Sequence, residues 1–396
     1  MKLVFILLDA FRHDYIDKDH TPFLYKLAKN NKYYKKITPS YGYCERTEIY
    51  TGKKSLELGL FTSLGYDPKN SPYKNYFLLN ILDKIEKIFN FKILSKLIRR
   101  FIWLIYRNKN FTYFPAKIPL NLLKFFALTE DGKDSFIENH PLSIFNLYKN
   151  KIFNETNTSL TNNKNLKDDA RLKLVLNNIN KDDITIYPIY ISYLDYMGHM
   201  YGPNSYEIKL SLKYLDTKLK FFYNKLNEKN KNLSFILCGD HGMANVKNKI
   251  NIIELISDFK KKYLIEDKNM IYFVDSTLCR FWFIKDKEKN FKKLKEFISL
   301  KVQTQYGFLI LNEQYADYGI PKDRKYGDCL FLTTFQTILY PDYYNYYEVK
   351  GMHGYNSENS EMSGCAIIVN KKVNNTQTFK EKKLYEIYDE IISILE

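Results

Sequence analysis

Three runs of apolar residues stand out by their length and by the residue that ends each. LVFILLD (3–9) closes on Asp9, ITIYPIYISYLD (184–195) on Asp195, and LSFILCGDHG (233–242) reaches the pair Asp240–His241. Continuous apolar runs, as opposed to alternating ones, are the pattern of strands buried on both faces of a parallel sheet. Between the second and third lies SYEIKLSLKYLDTKLKFFYNKL (205–226), with apolar residues at spacings of three and four that predict a helix. Strand, helix, strand in this order predicts an α/β fold with a central, mostly parallel sheet flanked by helices. In such sheets ligands bind beyond the carboxyl ends of the strands. Asp9, Asp195, Asp240 and His241 are expected at those ends.

The pattern changes after residue 70. ILDKIEKIFNFKILSKLIRRFIWLIYRNKN (81–110) is amphipathic and basic, with Lys84, Lys87, Lys92, Lys96, Arg99, Arg100, Arg107 and Lys109 against Asp83 and Glu86. It is expected to form an inserted helical cap over 71–164. The simplest role is packing on the core with solvated lysines, and the functional role is a face for anionic membrane or for steering phosphate. Residues 149–168 are rich in Asn, Thr and Lys and read as a linker or exposed loop. Residues 250–345 mix helix and strand patterns and are expected to form a second, α+β cap. The catalytic domain would then be 1–70 and 165–396. No internal repeat is visible.

Composition narrows the classes. The chain has 396 residues, 45% hydrophobic, enough for one large domain with insertions or for two domains. A net charge of +16 favours anionic partners, although it is spread along the chain. Its nucleic-acid-binding motifs are nil, and no basic–aromatic code stands out. Cys44, Cys238, Cys279, Cys329 and Cys365 are widely spaced, so neither a disulfide framework nor a zinc knuckle is indicated and a cytoplasmic setting fits best. The run Leu3–Leu8 is too short for an export signal, and no stretch reaches the roughly 18 apolar residues of a membrane span.

The chemistry concentrates in a few short motifs. Of the six histidines, three lie among glycines: DYMGH (195–199), GDHGM (239–243) and GMHGY (351–355). Imidazole and carboxylate together suit zinc or manganese, at three to four ligands per ion. Asp9, Asp195, His199, Asp240, His241 and His353 are enough for two divalent ions, and the glycines would let the backbone turn sharply and keep the ions open to substrate. His13, His20 and His140 lack this context and are read as surface or core histidines. Arg280, in the apolar run DSTLCRFWF (275–283), either reaches substrate or forms a buried ion pair.

These motifs resemble the type I phosphodiesterase/nucleotide pyrophosphatase branch of the alkaline phosphatase superfamily. The resemblance runs through FILLDAFRHDYI (5–16), TPFLYKLAKNN (21–31), IYTGKKSLELGLF (49–61), YISYLDYMGHMYGP (190–203), FILCGDHGM (235–243) and GMHGY (351–355), roughly half the chain. It implies an alkaline phosphatase-like fold and hydrolysis of an anionic phosphate ester, most simply a phosphodiester, through a covalent enzyme intermediate. It also implies roles: Asp195, His199 and His353 around one ion, and Asp9, Asp240 and His241 around the other, which also binds the nucleophile. Zinc is the usual ion.

One stretch departs from the family. The nucleophile is normally a Thr or Ser, and the family spacing back from Thr51-Gly52 lands on Gly42 in TPSYGYCERTEIYTG (38–52). A two-residue shift would bring in Cys44, whose thiol at a helix start would ionise more readily. Thr47 and Ser40 are the alternatives. CERTE lacks the Cys-x-Pro-x-Arg pattern that marks conversion to formylglycine in related sulfatases and phosphonate hydrolases. The family's phosphate-binding Asn is missing, and Arg46 is the expected replacement as an oxyanion donor. Glu45 would repel phosphate unless it turns away or binds a cation. Competing functions are a phosphotransferase, a sulfatase or phosphonate hydrolase of the same superfamily, and a non-enzymatic basic protein that binds membrane or nucleic acid.

Overall fold

A computed structural model describes residues 1–75, 78–89, 92–106, 113–130, 136–156, 166–372 and 376–396. The chain forms two compact units, Met1–Leu58 with Phe136–Asn245 and Val349–Glu396, and Gly59–Ser135 with Val246–Glu348.

The first unit is built on the three apolar runs. β1 (Lys2–Leu8) is central, and the sheet order is β2 (Lys32–Thr38), β5 (Gly364–Val369), β4 (Leu233–Gly239), β1, β3 (Ile186–Ile191). β1 runs parallel to both β3 and β4, while β5 is antiparallel to β4 and β2. Alternate side chains of β1 enter opposite cores. Val4, Ile6 and Leu8 pack with helix α1 (Pro22–Lys29) and with α4 (Tyr206–Lys229). Leu3, Phe5 and Leu7 pack with α2 (Glu45–Thr51) and the C-terminal helix Ile387–Leu395. Full burial of such side chains contributes at most about 1.5–3 kcal/mol each, which is why the run is unbroken by polar residues. The expected helix over 205–226 is α4, capped by Ser205, whose hydroxyl accepts from the Ile208 amide at 3.2 Å.

Two expectations need correction here. The run 184–195 is strand only over Ile186–Ile191, and Asp195 lies in the first turn of the following helix, α3 (Tyr193–Tyr201). β3 is the edge strand, where Pro188 costs no ladder bond to an outer neighbour. The stretch 149–168 is not simply an exposed loop, because Ile152, Phe153 and Thr156 are buried and the Thr156 hydroxyl donates to the Pro188 carbonyl at 2.6 Å. Residues 157–165 lie outside those described.

The second unit draws on both expected cap segments and has one core. Tyr73, Ile102 and Phe126 pack with Ile256, Trp282 and Phe331. The expected cap 71–164 therefore reaches this unit only as far as Ser135, and from Phe136 onward the chain belongs to the first unit, where Ile137, Ile144 and Phe145 enter the core beside β1. The basic segment forms two helices, Leu79–Phe89 and Lys92–Tyr106; Arg107 and Lys109 lie outside the described residues. A four-stranded antiparallel sheet, ordered Gly307–Leu311, Cys329–Thr333, Leu278–Phe283, Met270–Val274, makes the rest of the frame. Among the described residues no helix is long and apolar enough to cross a membrane.

Arg280 is settled by this frame. It is fully buried, with Nε donating to Asp275 Oδ2 at 2.8 Å and Nη1 to the Thr62 hydroxyl at 3.0 Å and to the Leu64 carbonyl. The ring of Phe273 lies 4.6 Å from its guanidinium carbon. Removing one partner of such a pair leaves the other charged and unsolvated. Arg280→Met is expected to cost about 3–5 kcal/mol of stability, read as a lower urea midpoint, whereas the double change with Asp275→Leu should recover much of that loss.

Candidate active site

The three central strands fix the first ligand candidates. Leu8 at the end of β1 is level with Ile191 of β3 and Gly239 of β4. Asp9 and Asp240 follow those strand ends directly, so two carboxylates emerge side by side. Ala10 adopts φ 55°, which turns the chain away at once, and its amide donates to Asp240 Oδ1 at 3.2 Å. The His241 amide donates to the same oxygen at 2.9 Å. His199 sits one helical turn after Asp195 on α3, and His353 follows the short strand Gly351–Met352, which pairs with Ala244–Asn245 just after the DHG motif. His199 and His353 are thus brought in by a helix and a minor ladder, not by the main sheet.

All six residues converge. His241 Nε2 lies 3.0 Å from Asp9 Oδ1 and 3.8 Å from Asp240 Oδ1. His199 Nε2 lies 3.2 Å and His353 Nε2 3.7 Å from Asp195 Oδ1. The rings of His241 and His353 are stacked with centroids 4.0 Å apart. Asp9, Asp240 and His241 are buried, while Asp195, His199 and His353 are half-buried. Among the described residues, three groups have ligand atoms mutually within 4.8 Å: Asp195, His199 and His353; Asp9, Asp195 and His241; and Glu45, His241 and His353.

Backbone carbonyls set the ring orientations. His199 Nδ1 bonds to the Gly351 carbonyl at 2.9 Å and His241 Nδ1 to the Gly242 carbonyl at 2.8 Å. A carbonyl only accepts, so each Nδ1 carries a proton and each Nε2 is the nitrogen turned toward a carboxylate. A neutral imidazole would point its lone pair at that oxygen, so a cation is needed between them, either a proton or a metal. Without metal the proton fills this role. Burial disfavours charge on His241, but Asp240 and Asp9 outweigh it and hold its pKa well above the usual range. His199 is raised likewise by Asp195 against the cost of burial. His353 is driven well below the usual range by burial and by His241, and so stays neutral. Burial and the neighbouring Asp9 push Asp240 up to about 7, despite the opposing pull of His241. His353 Nδ1 is buried without a hydrogen bond, and Asp195 Oδ1 has no well-aligned one, its nearest donor being His199 Nε2 at 3.2 Å. The donor set, the orientations and these under-bonded atoms fit divalent ions of the zinc and manganese type.

The α2 region holds the departures. Cys44 is the N-cap residue of α2 and is buried; Thr47 is fully buried within the helix. Ser40 is bound to Glu48, whose buried carboxylate accepts from the amides of Ser40 at 3.1 Å and Ser55 at 2.7 Å and from the Ser40 hydroxyl. Ser40 therefore braces the loop. Arg46 is half-buried, and its charge acts on the phenol of Tyr190. Glu45, expected from sequence either to turn away from phosphate or to bind a cation, joins His241 and His353 in one group of potential ligands. One residue was missed from sequence. Tyr190, at the end of β3, donates its hydroxyl to Asp9 Oδ2. Its position in the run 184–195 gave the only signal.

The motif glycines are explained by packing more than by turning. A Cβ on Gly198 or Gly351 would strike the sulfur of Met243, and one on Gly242 would strike the Glu361 carbonyl. Only Gly354, at φ 78°, needs the left-handed region, and it also lies against the Tyr43 ring, which packs edge-on to His353 at 5.5 Å. His13, His20 and His140 enter none of the three groups; His20 is tied to Asp17 at 3.0 Å.

Known proteins share this arrangement of chain. Residues 3–356 match the family of type I phosphodiesterases/nucleotide pyrophosphatases. The human ectonucleotide pyrophosphatase/phosphodiesterase 5 superposes with a TM-score of 0.68 at 14% identity, covering 100% of this chain and 95% of that one. The murine counterpart, in an inactive threonine-to-alanine form in complex with AMP, gives 0.69 at 14% identity with the same coverage. These likenesses establish an alkaline phosphatase-like fold. A stretch of 59 residues is 39% identical to GPI ethanolamine phosphate transferase 2 of Schizosaccharomyces pombe, spanning 14% of this chain and 8% of that protein. The chain belongs to the type I phosphodiesterase/nucleotide pyrophosphatase family and is a phosphoric ester hydrolase.

Proposed function

We propose that the chain hydrolyses a phosphodiester at a two-ion centre, through a covalent enzyme intermediate. The observation that carries this reading is the set of Nε2 atoms facing carboxylates, which calls for cations between them. Divalent-metal dependence is a property of the family. Asp195, His199 and His353 would hold one ion and Asp9, Asp240 and His241 the other, with zinc the first choice and manganese the second. Glu45 adds a carboxylate that could serve either ion. Bound ions would lower the pKa of the attacking group and neutralise the phosphoryl oxygens.

The chain's own residues then have distinct tasks. Tyr190 holds Asp9 in orientation. Arg46 donates to the phosphoryl oxygen on which negative charge grows. Cys44 is our choice of nucleophile: its thiolate attacks phosphorus, the alcohol leaves with a proton, and water then cleaves the sulfur–phosphorus bond to release a phosphomonoester and restore the thiol. The murine relative is inactive with one threonine replaced. Here the family spacing meets Gly42, which makes Thr47 the alternative. The similarity to an ethanolamine phosphate transferase favours a second reading, in which an alcohol replaces water as acceptor.

Purified protein should bind about two divalent ions per chain, and EDTA, Asp240→Asn or His353→Ala should abolish turnover of a generic bis-ester; full activity in EDTA without bound metal would refute the reading. Because His199 and His241 must give up protons to become ligands, ion affinity should rise with pH, releasing on the order of one to two protons per chain, measurable by titration calorimetry in buffers of different ionisation heat. Glu45→Gln should weaken binding of one ion, and Tyr190→Phe should lower ion affinity or turnover by about 10–100-fold with the fold unchanged. For the nucleophile, Cys44→Ala should lose at least about a hundredfold in turnover and Thr47→Ala much less. The reverse order would assign the reaction to threonine, and mass spectrometry of acid-quenched enzyme would locate the phosphoryl group. Products formed with added alcohol separate hydrolysis from transfer.

A further inference from the structure

The helices Leu79–Phe89 and Lys92–Tyr106 are apolar on two sides. On Lys92–Tyr106 the inner stripe, Ile98, Ile102 and Tyr106, packs into the core of the second unit. A second stripe, Ile93, Leu97, Phe101 and Leu104, recurs at spacings of four, four and three and so lies along one face. These four side chains are between 42% and 76% exposed. Ile81 and Ile88 of the preceding helix are 53% and 76% exposed. A helix of a water-soluble surface normally carries charge where these residues stand, and a contiguous apolar patch of this kind marks an interface.

The polar residues around the stripe have one sign. Lys84, Lys96 and Arg100 are exposed. The acidic residues of the segment do not offset them: Asp83 is buried, and Glu86 is bound to Arg99, whose Nη2 donates to Glu86 Oε2 at 2.8 Å. Arg99, counted from sequence among the solvated cations, is buried and also donates to the carbonyls of Ala116 and Ile118 at 2.7 Å. Apolar side chains rimmed by exposed cations are complementary to the boundary between acyl chains and anionic headgroups. A second copy of the chain is a poor occupant, because a two-fold contact would set cation against cation.

We propose that this face docks on the surface of an anionic lipid bilayer, with Ile88, Ile93, Leu97, Phe101 and Leu104 entering the headgroup boundary and Lys84, Lys96 and Arg100 meeting lipid phosphates. The full chain should co-sediment with vesicles of equal parts phosphatidylglycerol and phosphatidylcholine at low salt, bind pure phosphatidylcholine far less, and release at high salt. Leu97→Glu with Phe101→Glu should abolish binding, and Lys96→Glu with Arg100→Glu should weaken it by about fivefold or more per reversed charge. All four positions are exposed, so circular dichroism and turnover of a soluble ester should be unchanged. Trp282 is fully buried, so a blue shift of tryptophan emission on vesicle addition would report Trp103 on the docking helix. The proposal is overturned if wild-type chain fails to sediment with the anionic vesicles, or if Leu97→Glu with Phe101→Glu sediments as wild type. It is equally overturned if sedimentation velocity shows a dimer that these substitutions dissociate while vesicle binding is absent, which would make a second copy the occupant.

Discussion

Two carboxylates placed side by side at the ends of adjacent parallel strands repel each other, and the rest of the site answers that repulsion. Asp9 and Asp240 have no freedom to separate, because β1 and β4 are hydrogen-bonded up to Leu8 and Gly239. Amides of Ala10 and His241 turn toward Asp240, the Tyr190 hydroxyl turns toward Asp9, and the His241 imidazole stands between them. With Asp195 and Glu45 nearby, four carboxylates face three imidazoles. Like charges this close in a buried setting cannot all stay ionised unless cations join them. The demand for cations is thus a consequence of strand register, and the chemistry follows from it.

Register also explains what could be read from sequence. A buried parallel strand must be apolar throughout, so the first polar residue after it marks the sheet edge, and Asp9 and Asp240 were legible for that reason. His199 was singled out by its glycine neighbour in DYMGH and by the family resemblance, and its place one helical turn after Asp195 emerged only with the fold. His353 lies on a small ladder that no periodicity announces, and only the glycine-rich context and the family resemblance pointed to it. From its charge Glu45 had either to turn away from phosphate or to bind a cation, and its place opposite His241 and His353 depends on how the loop 38–44 turns into α2. Glu48 sets that turn by gripping Ser40 and Ser55, an interaction between residues with no pattern in sequence.

The two expected caps became one unit for a physical reason. Neither segment buries enough apolar surface alone, since the core requires Tyr73, Ile102 and Phe126 from one and Ile256, Trp282 and Phe331 from the other. Arg280, in the later segment, bonds Asp275 beside it and reaches Thr62 and Leu64, which precede the earlier expected cap and belong to this unit from Gly59 onward. The basic helices look like ordinary amphipathic surface helices in one dimension. Only the folded chain shows that their apolar residues divide into two stripes, and that one of the apparent surface cations is structural.

Met243 links three motifs that sequence treats as separate. Its sulfur lies where a side chain on Gly198 or Gly351 would have to go, so the segments bearing His199, His241 and His353 close on a single thioether. A change at any one of the three positions must be matched at the others. Natural variation in this part of the molecule should therefore be concerted: a smaller residue at 243 would make room for alanine at 198, whereas a Cβ at 351 would still strike the Gly198 carbonyl. An oxidant that adds oxygen to that sulfur would impose the same mismatch in one step, prising apart all three histidine-bearing segments together.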